Sequence, residues 1–402
     1  MNILYLCDEY PPGQHGGIGT SVRTIARQMV KSGHKVVVAG LYSPGYGGED
    51  EFEDEGVKIY RFRWSLDGKW FQQRGAIIVR IGNRILKATG IMDIDIKKSL
   101  AIYEQRLEKL IIDNHIDIIE MPDYNDYIRF CQSYIPFPSL SVPIIVKMNG
   151  SITYFSGEAS KLVAAPIFKM EQHILNQATM ITSASKYTAE KSAIYFSYPG
   201  KIEVLHNGIN TDIPQRNIYR HPKQVIYTGT LVQKKGVYQL AKAWNIVNKK
   251  MPGARLLVLG KGPKQKVSSY LTEAAKNTVI FTGHVGTEKL YDYLAGSAIS
   301  VFPSYSEAFA LAPLEAMACG TAVINSNRTS GPELIDDNVN GLLIDPDDIA
   351  QLASSILYLL NNPGVCKALS KSGNEKVRRQ FEISKIAAQT VQFYNDVLNR
   401  IK

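Results

Sequence analysis

The chain has 402 residues, 45% of them apolar and 21% charged, with a formal net charge of +9. That length exceeds what one core usually serves, so two domains of roughly 200 residues are expected, with the composition of an ordinary soluble globular enzyme. No stretch approaches the roughly 20 apolar residues of a membrane span, and MNILYLCDEY lacks the basic flank and long apolar core of a signal peptide.

Cys7, Cys131, Cys319 and Cys366 are scattered without a C-x-x-C, which argues against a disulfide framework or a zinc site and for a reducing, cytoplasmic setting. Residues 1–200 hold 22 basic and 21 acidic side chains, residues 201–402 hold 24 and 16, so the second half carries +8. A basic half suits a polyanionic ligand. Zinc-finger spacing, an RNA-binding aromatic motif and a lysine-rich tail are all missing, so no nucleic acid partner is expected, and a nucleoside diphosphate accounts for the asymmetry.

In chain order, short β-rich apolar runs are each followed by a stretch of helical period. They are NILYLC, KVVVAGL, IDIIEM, PIIVKM, TMITSAS and KIEVLHN in the first half, and QVIYTGT, RLLVLGKG, TVIFTGH, ISVFPS, TAVINSN and GLLIDP in the second. Continuous hydrophobicity marks strands buried on both faces, as in parallel sheets covered by helices. Two doubly wound α/β domains follow, with ligands expected outside the carboxyl ends of the strands, in a cleft where the domains face each other. Turn formers and prolines in HNGINTDIPQRNIYRHPKQ place the linker at about residues 210–222. The last 30 residues carry Val377, Phe381, Ile386, Val391, Tyr394, Val397 and Ile401 at helical spacing and read as closing helices with a break near Ser384.

Within the first half, the glycines of PPGQHGGIGTSV allow backbone amides to approach an anion just before a helical run; the alternative is a flexible glycine turn. The loop lacks the closing Gly-Lys of a P-loop, and KVVVAGLYS has no acid to hold a ribose, which argues against a dinucleotide fingerprint. Asp93 and Asp95 alternate with isoleucines and read as a helix start or packing, while Asp345, Asp347 and Asp348 surround Pro346 in a loop; no metal ligands and no cofactor are expected.

The stretch SEAFALAPLEAMACG follows the run ISVFPS and reads as strand, loop and helix start, with Pro313 in the first turn and Gly320 ending the helix. The unpaired amides around Phe309, Ala310 and Leu311 then form a candidate phosphate cradle, which small Ala308 and Ala310 leave approachable. Glu307 at the strand end can reach a group attached to that phosphate, and Glu315, one turn into the helix, can reach hydroxyls on the other side. The plainer alternatives are a solvated loop glutamate and a glutamate that complements the helix dipole. A capping box is ruled out because Ala312, three residues before Glu315, cannot cap.

Together these motifs resemble the family-4 retaining glycosyltransferases of GT-B fold, whose signature is this E-x7-E element. PPGQHGGIGTSV resembles the family's glycine loop and SGHKVVV its second-strand entry. LHNGIN resembles the N-G-[VI]-D turn and GTLVQKKGV the G-R-L-x-x-x-K-G segment. LGKGP resembles the G-x-G-P turn and SGPELIDDNVNGLLIDPDD the closing stretch.

The resemblance implies two Rossmann-like domains: residues 1–212 binding the acceptor and residues 213–380 binding a nucleoside-diphosphate sugar, with 381–402 a helix packing back toward the first. It implies catalysis by Glu307, which positions sugar hydroxyls, and by Lys235, which stabilises charge on the departing diphosphate without a metal. Gly16 and Gly17 would contact the pyrophosphate and Glu315 the ribose. The same-face substitution needs no protein nucleophile: the acceptor enters beside the leaving diphosphate, which takes its proton.

Two positions depart from the family. Thr230 stands where an arginine is usual, and Asn149 in PIIVKMNGS stands where a histidine is common. An amide can hydrogen-bond a sugar hydroxyl but cannot act as acid or base; a strand-ending turn is the equal alternative.

Glu120, Asp123 and Asp126 of IIEMPDYNDY are candidate acceptor contacts. Lys58, Arg61, Arg63, Lys69, Arg74, Arg80, Arg84 and Lys87, interleaved with Trp64, Trp70 and Phe71, form a basic and aromatic stretch. It suits either peripheral contact with an anionic membrane bearing a lipid-linked glycan acceptor, or a solvated helix face with buried aromatics. The expectation is a glycosyltransferase for a glycan or lipid-linked glycan. A nucleotide-sugar epimerase and a non-catalytic nucleotide-sugar-binding protein are the alternatives.

Overall fold

The computed structural model describes residues 1–13, 15–43, 46, 48–64, 82, 84–213 and 218–401. The backbone divides into two compact units, residues 1–208 with 383–402, and residues 209–382.

In the first unit, β1 (Asn2–Leu6), β2 (Lys35–Tyr42), β3 (Glu51–Asp54), β4 (Val57–Arg63), β5 (Ile118–Pro122), β6 (Ile144–Met148), β7 (Met180–Ser183) and β8 (Ile202–Val204) form one sheet. Its order is β3-β4-β2-β1-β5-β6-β7-β8, parallel except where β3 turns back on β4. The helices are α1 (Gly17–Lys31), α2 (Ile91–Asp113), α3 (Ile152–Glu158), α4 (Ala165–Gln177) and α5 (Lys186–Phe196).

Alternate strand residues serve opposite faces. Leu4, Leu6, Val37, Ile119 and Val146 pack with Ile96, Leu100 and Leu107 of α2. Ile3, Tyr5, Val36, Ile118 and Ile145 pack with Val22, Ile25 and Met29 of α1. Burial on both faces is why these strands read as unbroken apolar runs.

The second unit holds β9 (His221–Thr228), β10 (Arg255–Leu259), β11 (Val279–Gly283), β12 (Ser297–Phe302), β13 (Ala322–Ser326) and β14 (Leu342–Ile344). They form a parallel sheet of order β11-β10-β9-β12-β13-β14. Its longer helices are α6 (Val237–Lys250), α7 (Thr287–Ala295), α8 (Leu311–Ala318), α9 (Ile349–Asn361) and α10 (Pro363–Gln380). Trp244 of α6 is fully buried at the centre of its core.

α10 stops short of the expected break at Ser384. Phe381 is buried with its ring centroid 6.0 Å from that of Phe309, and Glu382 accepts the Thr211 amide at 3.0 Å, which bends the chain before α11 (Ile383–Ile401). α11 returns to the first unit, where Ile383, Ile386, Tyr394 and Val397 join the α1 side of the core.

One expectation is corrected. The residues read as a basic surface include a strand, β4, whose Arg61 is 3% exposed. Its guanidinium donates to the carbonyls of Tyr10 and Pro12, at 2.9 and 2.6 Å, and lies over the rings of Tyr42, Tyr46 and Phe52. Cation–π contact and carbonyl acceptors replace the lost hydration. Arg63 pairs with Asp50 at 2.7 Å, and Trp64 is buried edge-on against Phe130. Arg61, Arg63 and Trp64 are thus committed inside the unit, while Lys69, Trp70, Phe71, Arg74 and Arg80 lie outside the described residues. Among the described residues no helix is long and apolar enough to cross a membrane.

Candidate active site

In a doubly wound sheet the ligand crevice opens where successive connections leave in opposite directions. That switch lies between β1 and β5 in the first unit and between β9 and β12 in the second.

At the second switch, β9 ends at Thr228 and the chain makes a 3-10 turn, Gln233–Lys235, before α6. β12 ends at Phe302 and a loop leads to α8. Two features lock these loops together. The Tyr305 amide donates to the Lys234 carbonyl at 2.8 Å, and Gly236, at φ +70°, presses on Pro303 so closely that a Cβ there would sit 1.7 Å from its carbonyl oxygen. Only glycine serves at that position.

The result brings together two residues 72 apart in sequence: Lys235 Nζ lies 2.5 Å from Glu307 Oε1, with the side chains 26% and 17% exposed. The pair is desolvated enough to be ordered and open enough to meet a ligand.

α8 begins beyond Ala310, whose backbone is extended and supplies no side-chain cap. Its first-turn amides, Leu311 and Ala312, with Pro313 supplying none, are the kind of donors that helix starts offer to anions. Phe309 is buried, so it supplies packing beneath this loop. Glu315 sits one turn along α8, half-buried, and burial pushes its carboxyl up to about 7. Withdrawal from water favours the neutral carboxyl, and hydroxyl donors would favour the ionised one. Thr230 is exposed, with its carbonyl taking the Tyr227 hydroxyl at 3.0 Å.

At the first switch a cavity of about 300 Å³ is lined by Asp8, Glu9, Gly16, Tyr124, Asp126 and Arg129, among others. Asp126 is held on three sides. Its side chain accepts from Tyr124 at 3.0 Å and from Arg129 at 2.9 Å, while its amide donates to Asp8 at 3.0 Å. Burial raises the Asp8 carboxyl to about 7.

Glu9 accepts the Gly19 amide at 2.8 Å and lies beside Gly16, so an internal carboxylate already complements the start of α1. The glycine required by packing is Gly19, where a Cβ would meet the Glu9 carbonyl at 2.0 Å; Gly17 has open space around it.

Asp8 and Glu9 were missed by sequence reasoning. Their signal was position: two acids directly after the first strand, at its carboxyl end.

Of the three acids expected on the acceptor side, only Asp126 lines this cavity. Asp123, 1% exposed, accepts the Asn149 amide at 2.8 Å, and burial raises it to about 7. Glu120 takes the Tyr394 hydroxyl of α11 at 2.7 Å inside the core. Asn149 is held by its neighbours: Asn207 donates to its side-chain oxygen at 3.4 Å and its own side-chain amide donates to the Lys147 carbonyl at 3.3 Å. Among the described residues no group of three or more His, Cys, Asp or Glu is placed to hold a metal ion.

Two doubly wound units, each with polar side chains gathered at its own switch point, define the GT-B class of glycosyltransferases. Solved structures share the fold. Sucrose-phosphate synthase from Thermosynechococcus elongatus has a TM-score of 0.74 at 20% identity over 99% of both chains. Anabaena HepE in complex with UDP and glucose has a TM-score of 0.68 at 15% identity over 98% of this chain and 100% of that one.

Residues 15–213 match Glycosyltransferase Family 4 and residues 208–376 match Glycosyl transferases group 1, and the chain belongs to this glycosyltransferase family. The glycogen synthase of Mycobacterium tuberculosis is 24% identical over 98% of this chain and 94% of its own length. The GDP-mannose-dependent alpha-(1-6)-phosphatidylinositol monomannoside mannosyltransferase of the same organism is 22% identical over 97% of both.

Proposed function

We propose that the chain is a retaining, metal-independent glycosyltransferase that moves a sugar from a nucleoside diphosphate to a glycan or lipid-linked glycan. The observation that carries the reading is the Lys235–Glu307 pair at the β9/β12 switch, beside the uncapped start of α8. Fixed amides and one ammonium match the charge that grows on a departing diphosphate, and a preorganised donor set of this kind needs no reorganisation as the bond breaks.

In this reading the anomeric carbon–oxygen bond to the diphosphate breaks while the acceptor oxygen bonds to the same face, and the acceptor's proton passes to the diphosphate oxygen. Lys235, steered by Glu307, neutralises the leaving group. Glu307 accepts a sugar hydroxyl, Glu315 holds the ribose, and Ala310 and Leu311 offer amides to phosphate. Asn149, oriented by Asn207 and Asp123, donates to the transferred sugar, and Asp126 accepts an acceptor hydroxyl in the cavity of the first unit. The names of the relatives support both acceptor classes, since one is a glycogen synthase and one acts on phosphatidylinositol monomannoside.

The test is a donor screen by thermal shift with uridine, guanosine and adenosine diphosphate sugars, followed by transfer to oligosaccharides with the product anomer read by NMR. Binding of one donor and a product of retained configuration, in the presence of chelator, are expected. An inverted product would overturn the retaining mode. Donor epimerisation without acceptor would replace the transferase with an isomerase.

A further inference from the structure

Three loops leave the carboxyl edge of the second sheet in succession: residues 303–310 after β12, 327–330 after β13 and 345–348 after β14. Side chains from the outer two meet at Tyr305 of the first. The Tyr305 hydroxyl donates to Asp347 Oδ1 at 2.6 Å, and its ring lies beneath the Arg328 guanidinium, 5.1 Å from the ring centroid. Arg328 donates in turn to Asp345 at 2.7 Å and to Asp347 Oδ2 at 2.6 Å. The backbone adds two ties: the Asn327 amide donates to the Ile344 carbonyl at 2.8 Å and the Asp347 amide to the Asp345 side chain at 3.0 Å.

Through its own backbone Tyr305 faces the other way. Its amide donates to the Lys234 carbonyl at 2.8 Å, one residue before Lys235, and Glu307 follows two residues after Tyr305. A single residue therefore joins the outer loops to both members of the Lys235–Glu307 pair. The ends of its loop are held separately, Pro303 by the close approach of Gly236 and residues 308 and 309 by burial of Ala308 and Phe309. Tyr305 holds the middle.

The cluster is too open to serve the core. The side chains of Arg328, Asp345 and Asp347 are 35%, 45% and 63% exposed, and exposed ion pairs add little to stability. Their arrangement is nonetheless specific. The Tyr305 hydroxyl and the Arg328 guanidinium hold the Asp347 carboxyl below its ordinary range, so the hydroxyl meets a charged acceptor, the shorter and stronger kind of hydrogen bond. Such a contact restricts where a side chain can sit, and a reacting group displaced by about 1 Å can cost on the order of 10²-fold in rate.

We propose that Tyr305 is a positioning residue for sugar transfer: anchored by Asp347 and Arg328, it fixes the loop that sets Glu307 against Lys235. The proposal rests on the transferase reading above. Tyr305 touches neither donor nor acceptor in this role; it acts through the pair.

The experiment compares the full chain with Tyr305→Phe, which keeps the ring beneath Arg328, and with Asp347→Ala and Asp347→Asn. Transfer is measured with the donor and oligosaccharide that the screen above selects. Tyr305→Phe and Asp347→Ala should each lower kcat about tenfold and leave the donor KM within about twofold. Asp347→Asn keeps an oxygen for the hydroxyl and should return kcat to within about threefold of the wild type. In a Glu307→Ala background, Tyr305→Phe should cost less than about twofold more, because the contact it aligns is already gone.

Hydrogen exchange on the free protein, read by mass spectrometry, tests the same link without substrate. Exchange over residues 231–237 and 303–307 should rise in Tyr305→Phe and Asp347→Ala while melting temperatures stay within a few degrees. Unchanged exchange in both loops, wild-type kcat in Tyr305→Phe, or a full tenfold loss added to that of Glu307→Ala would overturn the proposal. A wild type that transfers no sugar, with the exchange differences intact, would count against the enzymatic reading alone.

Discussion

The two switch points use the same architecture for opposite chemistry. At β9/β12 Lys235 pairs with Glu307, with the Lys234 ammonium close to both, next to a helix start whose N-cap residue, Ala310, has no capping side chain. At β1/β5 carboxylates predominate. Asp8, Glu9 and Asp126 surround the cavity with Arg129 already bound to Asp126, and Glu9 occupies amides at the start of α1. On the function proposed above, the β9/β12 site receives an anion and the β1/β5 site accepts hydrogen bonds from hydroxyls. A shared fold therefore does not fix which ligand a switch point takes; the residues in the two loops after the flanking strands do.

The sharpest way to break this comparison is to remove the matched pair. Lys235→Ala and Glu307→Ala should each lower transfer by about 10² to 10³-fold, the usual loss on deleting a preorganised electrostatic contact to a transition state. Both side chains are partly exposed, so melting temperatures should stay within a few degrees. Variants that retain full transfer would show that the pair is a structural ion pair. Gly236→Ala acts on the same site through the backbone. The added Cβ collides with the Pro303 carbonyl at a left-handed φ, and a loss of about 2 kcal/mol in denaturant unfolding is expected.

The acid-lined site should respond differently. Asp126→Asn keeps the shape of the side chain but weakens acceptance from hydroxyls. It should raise the acceptor KM about tenfold and leave the donor melting shift unchanged. A weakened donor shift would mean that the cavity also holds the donor.

How much of this was legible follows from the range of each signal. The strands buried on both faces announced themselves as apolar runs, and the E-x7-E stretch contained its own strand, loop and helix start. The hairpin of β3 and β4 did not. In EFEDEGVKIYRFR the buried positions Val57, Ile59 and Arg61 alternate with Lys58, Tyr60 and Phe62, and the buried member Arg61 carries a charge that composition reads as surface. What hides it is tertiary: three aromatic rings and three carbonyls supplied from residues 10, 12, 42, 46, 49 and 52. The Lys235–Glu307 contact was expected only as two separate roles, because a pair 72 residues apart leaves no local trace. The same distance problem hid the links of Asp8 to Asp126, of Asp123 to Asn149 and of Glu120 to Tyr394.

The smallest expected effect separates the two carboxylates of the E-x7-E stretch by pH. Burial raises Glu315 from 4.5 to about 7 in the folded chain. The folded state therefore binds more protons than the unfolded one between those values, so the unfolding free energy falls as pH rises through that window and levels off above about 7. Replacing Glu315 with Gln removes the titration, so the difference in melting temperature between wild type and Glu315→Gln should change sign or size between pH 5 and pH 8. An effect on the order of 1 kcal/mol is expected, since the side chain is only half withdrawn from water. Bound nucleotide should shift the balance the other way. Ribose hydroxyls donating to Glu315 favour its ionised form, so binding near pH 6 should release protons, measurable as a buffer-dependent enthalpy in calorimetry that Glu315→Gln lacks. A wild-type enthalpy independent of buffer would remove Glu315 from the donor site while leaving the pair at Lys235 and Glu307 untouched.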